Sequence, residues 1–227
     1  MSTANKLICV IPVLNGATKL SATLTSLVGV EVIITDGGST DETAIVADQF
    51  GAKFLKTARG RGQQLSAGAE AAVAQGAGWL LFLHADTVLS ADWMAEAQAF
   101  KDDPDNRNMT AVFTFRVNDQ GRAAQRLERL VDWRTKVLAL PYGDQGLLIS
   151  KDFYLSLGGY KALELMEDVD LVRRIGGKRL RVLSATATTS ADKFQKAGYL
   201  RRSIRNLTCL GLFFSGVPVR WIKRIYG

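Results

Sequence analysis

WLLFLHADTVL, residues 79–89, is the stretch on which the reading of the fold turns. Its first five residues are apolar without a break, the pattern of a strand buried on both faces, as found inside parallel sheets. The run stops at His84-Ala85-Asp86-Thr87, which places an imidazole and a carboxylate at the strand's carboxyl end. In open α/β sheets that end is where ligands bind. Residues two apart in an extended chain project from the same side, so His84 and Asp86 can address one ion. His84 is also the chain's one histidine. A plainer alternative is that Asp86 or Thr87 caps a following helix.

Working outward, the preceding residues alternate between strand and helix patterns. Strands are expected at 6–14, 31–35 and 52–56, with helices at 17–28, 40–50 and about 63–75. This alternation predicts an α/β fold, a Rossmann-like, mostly parallel sheet flanked by helices. Downstream, the pattern predicts a helix at 92–101, a polar loop at 102–108 and a half-wet strand at 111–117. A long amphipathic helix at 122–140 leads to the turn Pro141–Gly146 and a strand at 147–150. A short helix ends at Gly158-Gly159. Glu167-Asp168-Val169-Asp170 opens another, and a strand follows at 179–186.

Composition bounds the partners. The chain has 227 residues, 47% hydrophobic and 22% charged, and two cysteines, too few for a disulfide framework. No stretch has the roughly eighteen consecutive apolar residues of a membrane span, and the first residues lack the apolar core of a signal peptide. A cytoplasmic protein is expected. The net charge of +7 is uneven: residues 176–227 hold eleven Lys/Arg and one acid, and the remainder is slightly acidic. Such a basic tail is expected to meet an anionic partner.

Several chemistries are excluded. No Gly-x-Gly-x-x-Gly follows the first strand and no P-loop is present. One histidine without a Gly-x-Ser-x-Gly elbow argues against a serine hydrolase, and Cys/His metal clusters fail on count. What remains is a set of polar groups at strand ends. Asp36, in the turn Asp36-Gly37-Gly38-Ser39, either contacts a ligand or caps its own turn. Arg59 and Arg61, interleaved with glycines before a helix, form either a phosphate cradle or a solvated loop. Glu167 and Asp168 are either site residues or complements to a helix dipole.

The order of these groups resembles the family-2 glycosyltransferases of the GT-A fold. The opening IPVLN, the turn DGGSTDET, HAD where that family has Asp-x-Asp, and MEDVDL where it has Glu-Asp carry the likeness, over about residues 7–175. The Arg-Gly loop and the turn GDQG are similar to a compact bacterial subgroup. The resemblance implies a GT-A domain at 1–190 with a basic amphipathic extension at 191–227. It implies inverting, metal-assisted transfer from a nucleotide-sugar donor, most simply a UDP-sugar, to a hydroxyl acceptor. By the same resemblance, Asp168 is the general base with Glu167 beside it, and Asp86 with His84 holds Mn²⁺ or Mg²⁺. Donor contacts fall on Pro12, Asn15, Asp36, Gly38, Arg59, Arg61, Gln64 and Ala85, and the acceptor side on Asp144 and Gln145. Two positions depart from the pattern: His84 replaces the first Asp of Asp-x-Asp, and Gly37 replaces the second Asp of the usual Asp-Asp-Gly-Ser turn.

Two other readings compete. A sugar-phosphate nucleotidyltransferase would carry a Gly-rich basic loop directly after the first strand, where this chain has NGATKL. A non-catalytic module that docks on membrane or nucleic acid would explain the tail. The tail's aromatics lie in an apolar rather than a basic run, so no nucleic acid is expected. The apolar run Leu207–Val219, flanked by Arg201, Arg202, Arg205, Arg220, Lys223 and Arg224, suits an anionic membrane surface, and with it a peripheral site on the inner membrane face and a lipid-linked acceptor. Cover for the catalytic body or an oligomer contact suits it equally.

Overall fold

A computed structural model describes residues 5–226. Among these, β1 (Leu7–Val13), α1 (Ala17–Thr25), β2 (Glu31–Asp36), α2 (Thr43–Gln49), β3 (Lys53–Lys56), α3 (Arg61–Ala74) and β4 (Trp79–Phe82) form the expected alternation. Then come β5 (Thr87–Leu89), α4 (Trp93–Asp102), β6 (Thr110–Val117), α5 (Arg122–Leu138), β7 (Leu147–Ser150) and α6 (Lys151–Ser156). The chain closes with α7 (Glu167–Ile175), β8 (Leu180–Thr189), α8 (Asp192–Ala197), α9 (Tyr199–Phe214) and α10 (Val219–Tyr226). One sheet holds the strands in the order β3-β2-β1-β4-β7-β6-β8-β5.

The α/β architecture matches the sequence expectation, with one refinement. β3, β2, β1 and β4 run parallel, as do β6 and β8, whereas β7 runs antiparallel to both its neighbours and β5 antiparallel to β8. Strand β5 has no signature of its own, because three residues are too few to show a period. It forms because β8 offers it a partner.

Strand periodicity divides the core. In β1, Cys9, Ile11 and Val13 face Leu20, Leu24 and Leu27 near α1, with Trp93 and Phe100 of α4. Ile8 and Val10 face the other way, toward Leu65, Ala69 and Ala72 of α3 and Leu171 and Ile175 of α7. The β4 strand alternates likewise: Trp79 and Leu81 join the first layer, Leu80 and Phe82 the second. A strand buried on both sides needs apolar residues at every position, which is why residues 79–83 show no polar alternation.

The apolar run at 207–219 is not one segment. Its first half completes α9, and the chain breaks at Gly216 (φ 79°) and Pro218 before α10. Cys209, Leu210 and Ile222 are buried against Met166 and Val169 at the start of α7. No described helix is long and apolar enough to cross a membrane.

Helix α3 lies close on the sheet because Gly68 has no side chain. A Cβ there would sit 2.3 Å from Val10 Cγ1 and 2.9 Å from Thr35 Cγ2. Gly68→Ala should therefore destabilise the fold by about 1–3 kcal/mol, the usual cost of overpacking. Gly211→Ala, in α9 with nothing within 4 Å of the new methyl, should be neutral or stabilise by up to ~1 kcal/mol. Urea titrations of the two variants check the contrast, and equal midpoints would refute it.

Candidate active site

Two groups of polar residues stand along the carboxyl edge of the parallel strands. The first holds the turns after β1 and β2. Asp36 is buried, and its carboxylate accepts from the Gly38 and Ser39 N–H groups at 3.0 Å each. Asn15, at φ 52°, accepts from the Thr40 N–H at 2.9 Å, and its own N–H donates to Ser39 Oγ at 2.8 Å. Buried Gln64 donates from Nε2 to the carbonyls of Val13 (2.8 Å) and Thr35 (2.7 Å), fastening α3 across the ends of β1 and β2. Pro12 lies within β1 opposite Thr35. Gly38, at φ +97°, occupies a conformation that suits glycine. These side chains are spent on the shape of the edge, so the capped-turn alternative for Asp36 describes its hydrogen bonds in this structure.

The second group surrounds a cleft that is open to solvent. The end of β4 contributes His84 and Asp86, the turn before β7 contributes Gly143 and Asp144, and the first turn of α7 contributes Glu167 and Asp168. Ala85 stands between the two groups: its carbonyl accepts from Thr23 Oγ1 at 2.9 Å, and its methyl lies against Gly16. Of the residues predicted from sequence, Arg61, His84, Asp86, Asp144, Glu167 and Asp168 therefore share one cavity. Arg59 is exposed on the loop before α3. Gln145 turns into the core, where it accepts from Thr135 Oγ1 (2.8 Å) and donates to the Phe113 carbonyl (3.1 Å).

Arg61 organises the cleft floor. Its Nε lies 2.8 Å from Glu167 Oε1, and its Nη2 contacts His84 Nε2. Burial pushes the Glu167 carboxyl up from its ordinary value, and the Arg61 charge opposes that shift. Burial, with the charges of Arg61 and Lys193, holds the His84 imidazole well below its usual range, so the ring is neutral. A guanidinium only donates, so Nε2 is the acceptor and the ring proton sits on Nδ1. Gly143 is held where a Cβ would come within 2.6 Å of both the Arg61 Nη2 and the His84 Nε2. Its N–H donates to Asp168 Oδ2 at 2.9 Å, which aims that carboxylate at the cleft.

The tail closes the opposite wall with residues that sequence reasoning did not single out as site groups: Lys193, Phe194, Arg202, Asn206 and Tyr226. Lys193 pairs with Asp86 at 3.2 Å. Arg202 Nε and Asn206 Oδ1 are buried without a hydrogen-bond partner among the described residues. The available signal was the excess of cations after residue 176, which marked the tail but not which of its cations turn inward.

A metal has a partial seat. Among the described residues no three His, Cys, Asp or Glu side chains converge on one point. Asp86 faces the cleft, and Asp144 Oδ1 is buried without a hydrogen-bond partner among the described residues. One or two carboxylates completed by phosphate oxygens and water suit a hard divalent ion that arrives with a diphosphate. His84 Nε2 can join such a set only if Arg61 leaves it.

Burial raises the Asp144 carboxyl to about 6; the Arg134 and Arg61 charges oppose the shift, and the Asp168 and Asp86 carboxylates add to it. A carboxyl whose folded value exceeds its unfolded one costs stability once ionised, above the folded value, and the cost fades as pH falls through it. Asp144→Asn should then raise the melting temperature at pH 7 and raise it less at pH 4. Thermal melts at the two pH values measure this, and a larger gain at pH 4 would refute it.

Comparison with known proteins follows the same lines. Residues 8–160 match the family described as glycosyl transferase family 2. No match was found among curated protein sequences. Among solved structures, S. aureus TarS 1–349 superposes with a TM-score of 0.63 at 15% identity, covering 97% of this chain and 69% of that one. The Mycobacterium tuberculosis glucosyl-3-phosphoglycerate synthase, in complex with Mn²⁺, UDP and glucosyl-3-phosphoglycerate, gives 0.60 at 20% identity, covering 94% and 81%. GalNAc-T7 with UDP, GalNAc and Mn²⁺ gives 0.60 at 17%, covering 82% and 44%. At these identities the structures speak for the GT-A fold alone; the match over most of the chain's length speaks for the family, and the chain belongs to glycosyl transferase family 2 and is a glycosyltransferase.

Proposed function

We propose that this glycosyltransferase moves a sugar from a nucleoside-diphosphate donor, a UDP-sugar, to an acceptor hydroxyl in a single inverting displacement. The observation that carries this reading is the meeting of Asp86, Asp144 and Asp168 in one cleft with Arg202, whose Nε has no hydrogen-bond partner among the described residues. A diphosphate would supply the acceptor that Arg202 Nε lacks, and a divalent ion arriving with it the counter-charge for the carboxylates. The structures of glucosyl-3-phosphoglycerate synthase and GalNAc-T7, described as complexes with UDP and Mn²⁺, support the choice of donor and ion.

In this reading the nucleoside lies over the turns after β1 and β2, against Asn15, Asp36 and Gly38. The diphosphate passes Ala85 toward Asp86, Lys193 and Arg202. A divalent ion, Mn²⁺ or Mg²⁺, held by Asp86, would neutralise the charge that develops on the departing diphosphate. Lys193 and Arg202 stabilise the same charge from the tail side. Asp168 accepts the proton of the attacking hydroxyl. Glu167, engaged by Arg61, fixes the first turn of α7 rather than taking that proton. No enzyme nucleophile is invoked, which is why inversion follows. Asp144, beside Asp168, belongs to the acceptor side, and the 191–227 extension serves as a wall of the catalytic cleft.

Two measurements test these roles. Asp168→Asn should bind UDP nearly as the parent does and lose turnover by roughly 10²-fold or more, the scale of a missing general base. Donor turnover at the parent rate would remove the assignment. UDP should bind more tightly with Mn²⁺ than in EDTA, and Asp86→Ala should abolish that difference in calorimetry. Equal affinity in EDTA for the parent would mean that Lys193 and Arg202 neutralise the diphosphate unaided.

A further inference from the structure

The surface beside the cleft carries exposed apolar side chains set among cations. Helix α5 is amphipathic in an uncommon sense: its outward stripe mixes Leu130, Trp133 and Val137 with Arg122, Arg126 and Lys136, all exposed. Positions three and four apart share a helix face, so these residues form one stripe. Trp133 is 52% exposed and Val137 62%. Alongside, α9 presents Leu200 at 74% and Ile204 at 57%, with Arg201 between them. The acids of α5 do not balance these cations. Glu128 accepts from the Val117 N–H at 2.9 Å, and Asp132 lies 3.7 Å from Arg116. The sequence of α9 contains no acid.

Between the two helices runs an apolar groove lined by Leu127, Val131, Leu138, Ser203 and Leu210. Its inner end is formed by Tyr142 and Asn206, which also line the catalytic cleft. Arg134 stacks on the Tyr142 ring, 3.5 Å from its centroid, at the junction. Tyr142 and Asn206 thus line both groove and cleft, and the outer rim of the groove carries exposed apolar side chains such as Leu130 and Trp133.

We propose that the α5–α9 face docks on an anionic lipid bilayer, with the groove beside the cleft held at the headgroups. Apolar side chains and an interfacial tryptophan set among arginines and lysines suit the boundary between headgroups and acyl chains. A second copy of the chain fits less well, because a two-fold contact would lay this basic stripe against itself with no acid opposite. The docking element is not the 207–219 run by itself, since Cys209 and Leu210 are buried in the body. Use of the groove to admit a bilayer-borne acceptor presupposes the glycosyltransferase reading above, whereas docking does not.

Flotation of the full chain with phosphatidylglycerol-containing and with pure phosphatidylcholine vesicles tests the surface. The double variant Val137→Glu/Ile204→Glu alters the exposed stripe without touching groove or cleft lining, and UDP binding with Mn²⁺ reports on the cleft. The parent should float with anionic vesicles at low salt and lose about tenfold of that binding toward 0.5 M salt, as surface electrostatics are screened. The variant should lose about tenfold or more at low salt and keep UDP affinity within about twofold. No flotation, equal flotation with neutral vesicles, or parent-like flotation of the variant each overturns the docking face. A dimer dispersed by the variant, without flotation of the parent, assigns the face to self-association instead. Flotation as expected with no UDP binding by the parent would leave docking standing and overturn the donor reading.

Discussion

The guanidinium of Arg61 is the contact on which the site depends. It starts at the first residue of α3, pairs through Nε with Glu167 of α7 and meets His84 at the end of β4 through Nη2. Three segments distant in sequence are thus registered against one planar, permanently charged group. The direction of each link is fixed by chemistry: the carboxylate supplies the counter-charge, and the neutral imidazole supplies a lone pair. Gly143 then fits over the assembly only because it has no Cβ, and from there its N–H reaches Asp168. A loss at Arg61 would leave a buried carboxylate uncompensated, which is costly. It would also release the end of β4 and the first turn of α7 from each other.

Much of this was legible in the amino-acid sequence. The uninterrupted apolar run at 79–83 placed a central strand, and the alternation before it placed the parallel half of the sheet. Polar residues at the end of β4 located His84 and Asp86, and the acids opening a late helix located Glu167 and Asp168; the four meet in one cavity. The self-capped turn at Asp36 was among the readings, because its partners lie two and three residues on. Gln64 was legible as a position but not by its contacts, the Val13 and Thr35 carbonyls that only the assembled turns bring within reach. Gln145 lies next to a site residue in sequence yet points into the core, because the tight turn at Gly143–Gln145 sends successive side chains in different directions. Lys193 was not singled out and Arg202 was read toward a membrane rather than the cleft, since charge alone does not reveal which cations a helix turns inward.

The two halves of the edge divide labour in a way that follows from their hydrogen bonds. At β1 and β2, every polar side chain named here is satisfied by backbone, and the result is a stiff, preformed rim. In the cleft, carboxylates and cations remain partly unmatched: Asp144 Oδ1 and Arg202 Nε are buried without a hydrogen-bond partner among the described residues. Unmet polar groups are tolerated where a ligand supplies the missing half. The tail contributes to this by packing Cys209, Leu210 and Ile222 on the start of α7, so that Arg202 and Asn206 reach the cavity from a helix rather than from a loop.

The chain's one histidine lies at the centre of this arrangement. Its imidazole therefore gives a single pair of carbon-bound ring-proton resonances, with no second histidine to confuse the assignment. The Nδ1–H tautomer imposed by Arg61 fixes a distinctive nitrogen chemical-shift pattern for the ring. Any ligand that draws the guanidinium away, or places charge beside Asp86, must register in that one spin system. The protein thus carries an intrinsic spectroscopic reporter at the floor of its own cleft, readable from its ring protons without a chromophore or an identified acceptor.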